Sequence, residues 1–221
     1  MKKIFSILLF SLSFHLAQAQ SFANYPEKNI TIIVGFPPGT ATDTIARILA
    51  ERFTNKLGKS FIIENKPGQG GSLGAGIAAQ AIPDGHTLLL SATAPFATNP
   101  HLYAKLNYDS RKSFAPIGLV SWLPYVMVTN PKSGLNSMQD LIEKSKVEPN
   151  KYTFASIGNG STSHLMMSML TSQAEIKMTH IPYKGSSQSQ TDLIGGQVDV
   201  TFDTVLTLMP HIKSGKLKAL A

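Results

Sequence analysis

The sequence predicts an α/β protein in which mostly parallel sheets are covered by helices, organised as two domains. Three observations lead there. Short β-branched or apolar runs alternate with stretches of helical period along most of the chain. Gly/Pro-rich or Ser/Gly-rich loops follow strand ends and precede helices. The length of 221 residues is ample for a sizeable core and corresponds to one to two domains at roughly 150 residues each.

The amino terminus stands apart from this pattern. Met1-Lys2-Lys3 is followed by an apolar run from Ile4 to Leu16 and then Ala17-Gln18-Ala19. A basic start, a short apolar stretch and an A-x-A end are the marks of a secretory signal peptide cleaved after Ala19. A membrane helix needs ~20 apolar residues, and Ser6, Ser11, Ser13 and His15 interrupt this run. The mature protein is therefore expected outside the cytoplasm.

Ile30 to Val34 is a compact β-branched run ended by Gly35-Phe36-Pro37-Pro38-Gly39. A helix follows, with Ile45, Ile48, Leu49, Phe53 and Leu57 on one stripe. Thr40-x-x-Asp43 reads as the capping box that opens it, and Gly58 closes it. Phe61 to Ile63 is a second strand, Ser72 to Ala81 a small-residue helix, and Thr87 to Leu90 a third strand after the Pro83-Asp84-Gly85 turn. Pro95 to Pro116 reads as a long connection, with a domain boundary at Gly118 to Ser121. The first domain is thus expected over residues 20–118 and the second over 119–221.

The second half has the same style. Strands are expected at Tyr125 to Val128, Tyr152 to Ala155, Thr179 to Ile181, Val198 to Phe202 and Leu217 to Ala221. Between them lie a helix opened by Ser137-x-x-Asp140, a helix from Ser161 to Gln173 that buries Leu165 and Met169, and helices at Ser186 to Ile194 and Leu206 to Ile212. The chain ends on a strand with no cap, turn or polar tail, as a truncated sequence would.

Composition excludes several classes. Apolar residues make up 43% and charged residues 15%, against ~25% charged in an average domain, so disorder, collagen and coiled coil are ruled out. With no cysteine there is no disulfide, thiolate-bound metal, cysteine nucleophile or lipidated cysteine. The net charge of +7 comes from scattered lysines and arginines with no basic stripe, which fits an anionic small molecule better than nucleic acid.

Catalytic and cofactor motifs are weak. Gly68-x-Gly70-x-x-Leu73 has leucine where a dinucleotide fingerprint needs its third glycine, and no Walker A sequence exists. The histidines show no metal-binding spacing. Ser161 and His164 suggest a nucleophile and base, but no G-x-S-x-G elbow surrounds Ser161, which reads better as a helix cap or ligand contact. No cofactor or metal is expected. The stronger feature is a repeated geometry at Phe36 to Thr40 and at Ser156 to Ser161. Ligands of parallel sheets bind beyond the carboxyl ends of strands, where helix amino termini offer free N–H groups to an anion. Two such loops, one per domain, suit one carboxylate held from both sides.

Ordered motifs along the chain resemble the Bug family, the extracytoplasmic receptors of tripartite tricarboxylate transporters. They are Phe36-Pro37-Pro38-Gly39 with Asp43 and Arg47, Glu64-Asn65-Lys66-Pro67-Gly68-x-Gly70-Gly71, Pro83-Asp84-Gly85, Asn99-Pro100-x-Leu102-Tyr103, and Ser156-x-Gly158-x-Gly160-Ser161-x-x-His164. Pro182-Tyr183-Lys184-Gly185, Asp192-Leu193-x-Gly195-Gly196-Gln197-Val198-Asp199, Phe202-Asp203 and Gly215-Lys216-Leu217 complete the set. The resemblance implies a two-lobed, type II-like periplasmic binding protein, expected as a monomer, that closes on a small carboxylic acid and delivers it to a membrane permease. It places ligand contacts at Phe36, Pro37, Pro38, Gly39, Thr40 and Asp43 and at Ser156, Gly158, Gly160, Ser161 and His164. Ser91, Tyr183, Lys184 and Asp203 are further candidates, with a solvated turn as the plainer reading of Lys184 and a helix cap as that of Asp203. Thr40 stands where the family usually has a second glycine. Family members also continue beyond this point to complete the first lobe, so lobe 1 is expected to be incomplete. The competing expectations are a secreted serine hydrolase using Ser161 and His164, and a truncated product that binds nothing.

Overall fold

The structure, a computed structural model, describes residues 25–221. The signal-peptide reading of residues 1–19 lies outside the described residues.

Strands β1 (Ile30–Val34), β2 (Phe61–Asn65) and β3 (Thr87–Leu90) form a parallel sheet in the order β2-β1-β3. The central strand, ITIIV, is apolar on both faces, as a strand covered on both sides must be. Its Ile30 and Val34 are fully buried. Helix α1 (Ala41–Leu57) is capped by Thr40 at its start and by left-handed Gly58 at its end, as the sequence signals require. Its packing face differs from the expected stripe. Ala46, Ala50 and Phe53 meet the sheet, whereas Ile48 and Leu57 are 52% and 42% exposed. Alanine lets the helix approach the sheet closely, and that approach fixes the rotation at the expense of the larger side chains. Helix α2 (Ser72–Ala79) packs against β1 and β3. The long connection after β3 begins with a wide turn at Ala94–Thr98 and a one-turn helix α3 (Asn99–Leu102). Among the described residues, β3 pairs along one edge only.

The second sheet contains β4 (Tyr125–Thr129), β5 (Thr153–Ser156), β6 (Thr179–Pro182), β7 (Val200–Thr204) and β8 (Lys218–Ala219), in the order β6-β5-β7-β4-β8. Strands β5, β6 and β7 are parallel, while β4 runs against both β7 and β8. This antiparallel strand has a consequence for the site. Tyr125, the first residue of β4, pairs with Thr204, the last residue of β7, so β4 enters at the end where its neighbours finish.

Side chains alternate across this sheet with period two. Met127, Phe154, Val200 and Phe202 face one layer with Leu135, Leu141 of α4 (Met138–Val147) and Met167 of α5 (Thr162–Gln173). Val128 and Ala155 face the other, with Leu193 of α6 (Ser186–Ile194) and Leu208 of α7 (Val205–Lys213). Burying each of these large side chains contributes ~1.5–3 kcal/mol. In α5 the buried side is Ser163 and Met167, with Met169 61% exposed, where the pattern had suggested Leu165 and Met169.

Candidate ligand-binding site

The carboxyl ends of β1, β5, β6 and β7 each lead into a helix, and residues at all four of these junctions line one cleft. Thr40, Ala41 and Thr42 come from α1, Ser161 and Thr162 from α5, Ser186 from α6, and Asp203 and Thr204 from the β7–α7 junction. Phe36, Ala92, Ala94, Leu123, Tyr125 and Ile157 form the apolar walls. The cleft is narrow and open to solvent, with ≈ 430 Å³ of space when its open mouth is counted.

The first loop is organised by Asp43. Its Oδ2 accepts from the Gly39 N–H at 3.0 Å and from Arg47 Nε at 3.0 Å, and its Oδ1 accepts from Arg47 Nη2 and Asn65 Nδ2, both at 2.9 Å. Asn65 Nδ2 also donates to the Phe36 carbonyl at 2.9 Å. Burial pushes the Asp43 pKa up, but the donors Arg47, Gly39 and Asn65 outweigh it and hold the carboxyl below its ordinary value. Asp43 is thus a clamp on the loop, with its oxygens spent inside the protein, and the Gly39 N–H is spent with them. The Thr40 hydroxyl donates to the Pro37 carbonyl at 2.9 Å and accepts a long 3.5 Å bond from the Asp43 N–H, which makes it a helix cap. The free donors for an anion are then the first amides inside the helix, Ala41 and Thr42, which have no intrahelical carbonyl to reach.

The second loop is stitched in the same manner. Ser161 Oγ donates to the Gly158 carbonyl at 2.6 Å and accepts from the His164 N–H at 3.4 Å. The Gly160 N–H donates to His164 Nδ1 at 3.2 Å, so that nitrogen is an unprotonated acceptor. Ser156 Oγ pairs with His180 Nε2 at 2.7 Å and accepts from the Gly158 N–H at 3.2 Å. The rings of Phe154, His180 and His164 stack at 4.7 and 4.2 Å between successive centroids. Burial lowers the pKa of His164, and burial together with the neighbouring His164 lowers that of His180 to about 4. Ser156 is fully buried, and the Ser161 hydroxyl points at a carbonyl rather than at His164. This geometry gives the serine-nucleophile reading no support.

Of the positions expected from the sequence, Phe36, Thr40, Ser161 and Asp203 line the cleft. Asp43, Ser156, Gly158, Gly160 and His164 shape the loops behind it. Pro37, Pro38 and Gly39 are outside the lining, with Gly39 facing Ser187 and Pro37 facing Gly185 of the other half. Ser91 follows β3 outside the cleft lining, with a buried hydroxyl that has no hydrogen-bond partner. Tyr183 is turned to Asp192, to which its hydroxyl donates at 2.7 Å; burial and that carboxylate push its pKa up to about 12. Lys184 is exposed and outside the lining. Asp203 is 1% exposed; its Oδ1 accepts from the Thr204 N–H at 2.7 Å and its Oδ2 from Gln190 Nε2 at 3.2 Å, while burial raises its pKa. Sequence reasoning missed Tyr125, Ser186 and Thr204. The signal for the last two was available, since Thr204 ends a strand and occupies the cap position of the next helix, and Ser186 opens a helix after the three-residue turn that follows β6.

The loops of the two sheets also meet through glycines. A Cβ on Gly39 (φ +82°) would lie 2.8 Å from Ser187 Oγ, and one on Gly160 (φ +77°) 2.7 Å from Asn99 Oδ1. On the Gly160 side, Tyr103 Oη reaches the Asn159 carbonyl at 3.5 Å.

Two α/β units with helix amino termini gathered on a shared cleft define a bilobal solute-binding fold. Residues 45–221 match the family described as "Tripartite tricarboxylate transporter family receptor", and the chain belongs to it. Protein BugT of Bordetella pertussis is 37% identical over 207 residues, 93% of this chain and 64% of that protein. A solved periplasmic binding protein, BugD, superposes with a TM-score of 0.83 at 38% identity, over 88% of this chain and 65% of that one. MatC from Rhodopseudomonas palustris, solved with bound malate, gives 0.83 at 29% identity, over 89% of this chain and 67% of that one. The chain thus spans about two thirds of the length of these relatives. Among the described residues no helix is long and apolar enough to cross a membrane.

Proposed function

We propose that this chain acts as a periplasmic solute-binding receptor, exported by the signal at residues 1–19. In this reading it captures a small carboxylic acid between lobe 1, residues 20–118, and lobe 2, residues 119–221, as a monomer without enzymatic activity. It then delivers the acid to the membrane permease of a tripartite tricarboxylate-type transporter. The observation that carries this reading is that the amino ends of α1 and α5, one from each sheet, line the same cleft. Their unsatisfied amides and aligned dipoles favour an anion at that point. The adipate and malate in solved family structures support a carboxylate as the ligand class. The internal bonding of Ser161 favours binding over hydrolysis.

Calorimetric titration of the chain against a library of carboxylic acids tests the proposal. The expected result is saturable binding of one chemical class with no turnover. A ligand at 100 times its Kd raises stability by about 2.7 kcal/mol, which a thermal-shift screen detects. A cooperatively folded chain that binds no carboxylate would overturn the proposal.

A further inference from the structure

The amino end of α6 differs from those of α1 and α5. Thr40 and Ser161 cap their helices with side-chain oxygens, but α6 is preceded by Gly185, which has no side chain to offer. Its first residue, Ser186, lines the cleft and is 1% exposed, and its hydroxyl has no hydrogen-bond partner. A buried hydroxyl left unpaired is costly, and its position against the cleft directs it to an incoming group. Asp203, 1% exposed, lines the same cleft. Asp203 accepts from the Thr204 N–H and from Gln190, the two bonds that meet full geometry, and burial raises its pKa.

We propose that Ser186, the open amino end of α6 and Asp203 form a second recognition point that takes a hydroxyl group of the ligand, making the protein selective for hydroxycarboxylic acids. The inference rests on the receptor reading above. The choice of group follows from the mixed polarity of the position. A carboxylate would suit the helix amides but face Asp203. An ammonium would suit Asp203 but face the positive end of the helix. A hydroxyl accepts from the amides or from Ser186 and donates to Asp203, so it meets both demands at once.

The experiment compares hydroxy acids with their deoxy partners on the full 221-residue chain by calorimetry. The pairs are lactate and propionate, malate and succinate, and 3-hydroxybutyrate and butyrate, with aspartate as the amino counterpart of malate. At least one hydroxy acid is expected to bind about tenfold more tightly than its partner, the worth of one good hydrogen bond. Ser186→Ala is expected to bring that ratio to within about threefold. Equal affinities within every binding pair, or a ratio untouched in Ser186→Ala, would overturn the subsite while leaving the receptor reading standing. If the variant fails to fold, the wild-type ratios decide alone. Binding of no carboxylate would overturn the receptor reading, and the subsite with it.

Discussion

The Asp43 carboxylate accepts a hydrogen bond from the backbone N–H of Gly39, four residues earlier, at 3.0 Å. An acidic side chain at the start of a helix ordinarily serves the helix. Here it also ties down the loop that leads into it, and it recruits Arg47 and Asn65 from two elements to do so.

Replacing Asp43 by Asn removes the charge that holds the Arg47 fork and the Gly39 amide. Hydrogen bonds to a charged group contribute ~1.5–3 kcal/mol, so Asp43→Asn is expected to lose about 2 kcal/mol of stability and at least tenfold in carboxylate affinity. Urea denaturation and calorimetry check this. A variant with unchanged affinity would show that the loop does not need the clamp. The depressed pKa adds a pH signature. The stabilisation is present above the carboxyl's ordinary value of 3.8 and is lost as pH falls through the lower folded value.

His180 gives a signature of the same sign over another range. Its folded pKa of about 4 lies below the ordinary 6.5, so the unfolded chain takes up the proton first. Stability is expected to fall as pH drops from 6.5 to about 4 and to level off below that. His180→Gln should flatten this part of the profile, as read from melting temperature against pH. An unaltered slope in the variant would assign it to other groups.

Ser161→Ala removes one capping bond and is expected to weaken ligand binding only about fivefold, close to 1 kcal/mol. Gly160→Ala should do more. Its new methyl would meet Asn99 Oδ1 at 2.7 Å, and Asn99 is held by bonds to Gln69, Gly70 and Ser72. The left-handed φ of +77° adds its own strain for a side chain. Affinities measured side by side settle the order, and equal losses would contradict this account of the loop.

Among the described residues strand β3 pairs only with β1, whereas β1 is paired on both sides. Residues 87–90 are all half-buried, while Ile30 and Val34 are fully buried. Amide exchange followed by mass spectrometry or NMR is expected to be faster along Thr87–Leu90 than along Ile30–Val34. Equal protection would mean that the two strands open only together.

Local chemistry was the legible part of this molecule. Thr40, Ser137 and Ser161 each announce a helix start because a short hydroxyl before a helical pattern has few better uses, and all three cap as expected. The opposed direction of β4 was hidden, because Tyr-Val-Met-Val-Thr carries no mark of which way it runs. The faces of α1 and α5 were misread where Ile48 and Met169 outweighed Ala46 and Met167 in a count of apolar residues. Small side chains and fixed caps set the contact there. Asp43 was recognised both as part of a capping box and as a ligand contact, and only the three-dimensional arrangement shows its acceptors filled. Ser186 and Tyr125 became visible once the strand ends were aligned, since they lie 61 positions apart in sequence.

The glycine contacts between the two halves amount to a mechanical gauge. At Gly39, Gly160 and Gly185 the opposing parts sit at a spacing set by a hydrogen atom, with Ser187, Asn99 and Pro37 as the facing stops. Adding one carbon at a chosen point would act as a shim between the two halves, and larger residues as thicker ones. The resting gape of the jaws thereby becomes an adjustable dimension, set by substitution at three glycines.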